Sequence, residues 1–139
     1  MSALTTVESK PDIVPPAVAS MIEPYETIHA FPSGKLLFRE GMEPEGVYFL
    51  HSGEVELSFS NKPMLVMEPG QILGLTCVMS DRAHDCSAVT RSSCVAGFVE
   101  KNQFLRLLDE QPALWLTVLR MISTNINACW ECMRTLAAR

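Results

Sequence analysis

The sequence predicts a mainly β domain closed by C-terminal helices. Three observations carry this reading. Between Tyr25 and Val99, short apolar runs are divided by turns rich in Gly, Pro, Ser and Asn, the rhythm of a β-barrel or sandwich. Val47-Tyr48-Phe49-Leu50 and the alternating run from Val55 to Phe59 flank His51-Ser52-Gly53, which reads as a hairpin. From Lys101 onward the apolar period changes to that of helices.

Each element follows in order. Residues 1–16 are polar, end in Pro15-Pro16, and read as a flexible N-terminal arm. Residues 17–22 form a short helix stopped by Pro24. Ile28 and Ala30, then Leu36, Leu37 and Phe38, give strands between turns at Pro32-Ser33-Gly34 and Glu40-Gly41. Asn61-Lys62-Pro63 turns into a strand over 64–67, and further strands cover 87–90 and 95–99. Glu40, Glu43 and Glu45 read as a solvated turn. A helix spans 101–109 with Asn102 as its cap. Pro112 then starts a long helix over 111–139. Along it Trp115, Leu119, Ile122, Ile126, Cys129, Met133 and Leu136 recur at spacings of four and three, a heptad seam. Such a seam suits a parallel homodimer, or else packing on the chain's own barrel. The domain between arm and helix is 17–110.

Composition narrows the function. The 139 residues suit one domain with its own core, at 47% hydrophobic and 19% charged. The net charge of −5 argues against direct nucleic-acid contact by this chain, which needs a basic footprint. No apolar run approaches a bilayer span, and the N-terminus lacks a signal peptide's basic start and apolar core, so no membrane partner and a cytoplasmic location are expected. The five cysteines are odd in number and lack a secreted framework, so reduced thiols are expected. His29, His51 and His84 stand in separate segments outside any nucleophile motif, so no catalytic residue is assigned.

The stretch GQILGLTCVMSDRAHDCSA, from Gly70 to Ala88, resembles the phosphate-binding cassette of cyclic-nucleotide-binding domains of the Crp/Fnr transcription regulators. Gly34, Phe38, Glu40-Gly41, Tyr48-Phe49-Leu50 and Ser52-Gly53 match the front half of that domain, and the resemblance runs to Arg139. It implies an antiparallel β-roll of the double-stranded β-helix or jelly-roll type, holding a small-molecule effector, with a long C-terminal dimerisation helix. The family holds the ribose with an acid and the cyclic phosphate with an arginine; these positions are Leu75 and Cys86 here. High-affinity cyclic AMP or cyclic GMP binding is therefore not expected, although Arg82 or Arg91 would substitute if the loop bent inward. The implied ligand-binding set is Gly74, Leu75, Arg82, Cys86, Ser87 and Ala88, with Cys129 and Trp130 from the helix facing the base. Family regulators carry a helix-turn-helix after the long helix; the chain stops at Arg139, and it reads either as a sensor piece of a longer regulator or as a stand-alone module.

Two other chemistries are weaker. Cys129-Trp130-Glu131-Cys132 puts two thiols on adjacent parts of one helix face, but one such pair without histidines is a poor metal or redox signature. Haem-sensing relatives use Cys and His near the cassette, yet His84-Asp85-Cys86 does not match them closely, and His84 reads as an exposed loop residue. No cofactor or metal is expected. A ligand-free dimerisation or interaction module and a thiol- or haem-based redox or gas sensor stand as alternatives to effector sensing.

Overall fold

Eight strands divide between two antiparallel sheets in the computed structural model, which describes residues 13–123. The first sheet runs β1 (Thr27–Phe31), β8 (Cys94–Glu100), β3 (Gly46–Ser52), β6 (Ile72–Leu73). The second runs β2 (Leu36–Phe38), β7 (Ser87–Thr90), β4 (Val55–Phe59), β5 (Lys62–Met67). Phe38, Leu50, Val55, Leu57, Met67, Leu73, Ala88 and Ala96 fill one cluster between the sheets, as a β-roll requires.

The strand pair around Gly53 corrects the sequence reading. β3 pairs with β8 and β6, whereas β4 pairs with β5 and β7, so the two runs are not a hairpin. The chain changes sheet there instead. Gly53, at φ +85°, packs on the strand start at Ser93-Cys94, where a Cβ would lie 2.6 Å from Cys94 Sγ. The hairpin is β4–β5. Its turn is Ser60-Asn61, both at positive φ, which matches the twist of the flanking strands. Lys62 and Pro63 therefore belong to β5 rather than to the turn; Pro63 is tolerated because the register shifts beside it.

Helices cover the outer face of the first sheet. α1 (Pro16–Ile22) starts with proline at its first turn and passes into a 3-10 turn, Glu23–Tyr25. Residues 13–16, read as arm, are tied down: Val14 is buried and donates its backbone N–H to Gly70 O at 2.7 Å. Residues 1–12 lie outside the described residues. α3 (Lys101–Glu110) leaves β8 directly, and its cap is Glu100, not Asn102: the Glu100 carboxylate accepts from the backbone N–H of Asn102 and Gln103. A charged acceptor at that end also suits the helix dipole. Phe49, Val47, Val99 and Ile72 from the sheet meet Ile22, Phe104, Leu107 and Leu114 from the helices in the second core cluster.

The last described helix, α4, covers residues 112–123. Leu114, Val118 and Met121 face the core and are fully buried. Trp115 and Leu119, the first two seam positions, are 42% and 46% exposed, and Ile122 is half-buried. The helix thus has two apolar faces, one buried against its own roll and one exposed in this chain. Ile126, Cys129, Trp130, Met133 and Leu136 lie outside the described residues. No described helix is long and apolar enough to cross a membrane.

Candidate functional site

The cassette joins β6 to β7. Gly74 ends β6 at φ +82° and caps α2 (Leu75–Ser80). Glycine is needed twice over: its backbone is left-handed, and a Cβ would press to 3.3 Å from His84 Cε1 and 3.4 Å from Gly46 O. Asp81 ends the helix in the left-handed region, a role open to Asp as well as Gly and Asn. Its carboxylate pairs with Lys101 Nζ at 2.5 Å, tying the cassette to the start of α3.

The two ligand-holder positions fall in different cores. Leu75 is 1% exposed and belongs to the helix-side cluster with Val78, Phe104 and Leu107. Cys86 is half-buried and packs on the cluster inside the roll. Ser87 Oγ accepts from Glu40 N at 2.9 Å, and Ala88 is fully buried opposite Phe38 and Leu57. Both candidate arginines are exposed. Arg82 Nε donates to Ser80 Oγ at 3.2 Å, and Arg91 lies at the end of β7.

His84 departs most from expectation. It is 5% exposed, and its ring lies flat on Phe38 with centroids 3.9 Å apart and 12° between planes. The partner is distant in sequence, which is why the loop context suggested an exposed residue. Its backbone clamps the 39–42 turn from both sides: His84 N donates to Met42 O, and Gly41 N donates to His84 O. Glu40 is also more than a solvated residue. It is half-buried, and besides its N–H bond to Ser87 its Oε1 accepts from Ser60 N at the β4–β5 turn. Glu43 and Glu45 are exposed as expected.

Burial holds the His84 imidazole below its ordinary pKa of 6.5, against the charges of Asp85 and Glu43, which favour protonation. As pH falls, the unfolded chain therefore takes up this proton first. The His84 contribution is complete above about pH 6.5 and is lost as pH drops below that value toward the folded one. Urea melts of wild type and His84→Phe, at neutral pH and near pH 5.5, should show a smaller acid loss in the variant. Equal losses would mean that His84 does not titrate on unfolding.

The described thiols are quiet. Cys77 and Cys94 are buried, and none of Cys77, Cys86 and Cys94 is in a disulfide. Burial pushes the Cys77 thiol up, so it stays protonated near neutral pH. Among the described residues no three His, Cys, Asp or Glu side chains gather as metal ligands.

A two-sheet roll with a glycine-framed cassette between β6 and β7, and helices on the outer face, is the architecture of a cyclic-nucleotide-binding-type β-roll. The profile of the cyclic nucleotide-binding domain matches residues 28–111, and the chain belongs to that family. Solved structures agree on the fold. The catabolite activator protein of Thermus thermophilus superposes with a TM-score of 0.75 at 17% identity, over 88% of this chain and 60% of that one. CLP of Xanthomonas campestris, described as a c-di-GMP responsive global regulator, gives 0.77 at 14%, over 88% and 63%. A transcriptional regulator from Thermotoga maritima gives 0.73 at 19%, over 87% and 98%. The chain thus spans less than two thirds of the length of the first two. No curated protein sequence matches the chain.

Proposed function

We propose that this cyclic nucleotide-binding domain is a non-catalytic effector sensor of the Crp/Fnr type whose effector is not cyclic AMP or cyclic GMP at high affinity. The observation that carries this is the pair Leu75 and Cys86. One is an apolar side chain sealed in the helix-side core, the other a thiol, and the exposed Arg82 donates to Ser80 Oγ. A cyclic phosphate brought to such a cassette loses a charge-assisted bond worth ~1.5–3 kcal/mol. A regulator that shares this fold, CLP, is described as responsive to c-di-GMP.

The sensing route within this reading is mechanical. An effector beside Gly74–Ala88 would shift the cassette against the C-terminal helix and reset a homodimer held by that helix. It does so only as far as it prefers one arrangement. The exposed Trp115 and Leu119 support the dimer, since large side chains on an outward helix stripe favour a second apolar face. Isothermal titration with cyclic AMP and cyclic GMP should give no heat below millimolar nucleotide; saturable micromolar binding would end this reading. Light scattering of the same sample should return the dimer mass, and a monomer would remove the dimer from it.

The second reading is a ligand-free interaction module. It is favoured by the bonds that hold the cassette with the chain's own groups, from Glu40 N to Ser87 Oγ and from the 39–42 turn to His84. Native mass spectrometry separates the two, because a retained small molecule is incompatible with the second.

A further inference from the structure

A recess opens beside the cassette, where a Cβ on Gly74 would come within 3.4 Å of Gly46 O and His84 Cε1. It is lined by Phe38, His84, Tyr48, Phe98, Met42, Glu43 and Glu45, with Leu37 and Gly46 completing it. Its walls are rings: Phe38 lies on His84, and Tyr48 tilts against Phe98 with centroids 5.0 Å apart. Gly46 lets β8 pack close against it; a Cβ there would lie 2.7 Å from Phe98 Cζ and collide with Val99 O. The volume open to a water centre is ≈ 20 Å³, enough for one small polar head and not for a base or a sugar.

The electrostatics select the sign of that head. No lysine or arginine lines the recess, while Glu43 and Glu45 stand exposed at it. Lys101, whose charge reaches Glu43, is held by Asp81. Tyr48 keeps its proton, since burial and Glu45 both raise its pKa. Burial likewise favours neutral His84, so neither wall repels a cation. His84 Nδ1 is the one buried side-chain polar atom without a partner among the described residues. A neutral imidazole can accept from a donor that a ligand brings in, once the ring turns toward it. Aromatic faces attract cations held within about 6 Å of the ring centre.

We infer that this recess is a binding site for a primary ammonium group on a narrow alkyl stem, carried by a free amine or by a lysine side chain of a partner. It borders the cassette at Gly74 and His84, and it does not rest on which effector the Leu75 and Cys86 positions take.

The test is a titration of the labelled protein followed by amide NMR. The probes are n-butylammonium, a capped Gly-Lys-Gly peptide, and n-butanol as the neutral control. Millimolar binding of either cation should shift Gly46, Tyr48, His84 and Phe98, with the alcohol weaker by about tenfold or more. Tighter binding of the peptide assigns the lysine source, and tighter binding of butylammonium the free amine. Glu43→Gln with Glu45→Gln, both at exposed positions, should weaken the cation by about tenfold while leaving the other amide signals in place. No shift with either cation, equal shifts with butanol, or unchanged affinity in the folded double variant would each overturn the site.

Discussion

Phe104→Ala should cost ~3–5 kcal/mol and lower the melting temperature by ~10–20 °C. Phe104 has no exposed surface and sits where the roll's outer face meets the four described α-helices. Its ring faces Phe49 of β3 at 6.3 Å between centroids. The loss adds a transfer cost to that of a cavity which sheet and helices cannot both collapse to fill. Against a total stability of ~5–15 kcal/mol, this single change takes a large share. Urea denaturation followed by tryptophan fluorescence and circular dichroism reads it directly. A loss below about 1 kcal/mol would mean that the helices contribute little to the roll's stability.

Cys86→Arg should raise cyclic AMP affinity by about ten- to a hundredfold over wild type. The restored guanidinium would supply the charge-assisted bond that the thiol lacks, worth ~1.5–3 kcal/mol. Cys86 is half-buried, so its site can take a long side chain whose head reaches solvent or ligand. Cys86→Gln is the neutral control and should gain nothing. Titration calorimetry on all three proteins decides it; equal affinities would show that the missing arginine is not what limits binding. Leu75→Glu is not the mirror experiment. Leu75 is 1% exposed in the helix-side core. A glutamate there would bury an unpaired carboxylate and destabilise the fold before it could meet a ribose.

The sequence displayed the strands whose side chains alternate or cluster strongly. β2, β4 and β7 lie within a residue of expectation, and α4 does begin at Pro112. The strand-pairing miss arose because the deciding partner is remote along the chain. β3 and β4 flank a glycine turn as hairpin strands do, yet β8 arrives to pair with β3 and sends β4 to the other sheet. β6 has two residues, too few for any period, and α2 is a six-residue, mostly apolar run in which helix and strand look alike. Glu100 caps α3 because a strand runs straight into the helix, leaving no loop to mark the boundary.

The candidate site divides in the same way. Gly70 and Gly74 were legible because a left-handed backbone favours glycine. The burial of His84 was not, since Phe38, its stacking partner, is supplied by a different strand. The opposite attachments of Leu75 and Cys86, one to each core, were equally hidden by their closeness in the chain.

Glu40 couples two parts that a map of ligand contacts would keep apart. Its N–H holds Ser87 and its carboxylate holds the tip of the β4–β5 turn at Ser60. In a library screened for altered effector response, substitutions at that tip should therefore appear among the hits. They would look like pocket variants while touching no ligand, because loosening one end of the strut changes how freely the other end yields.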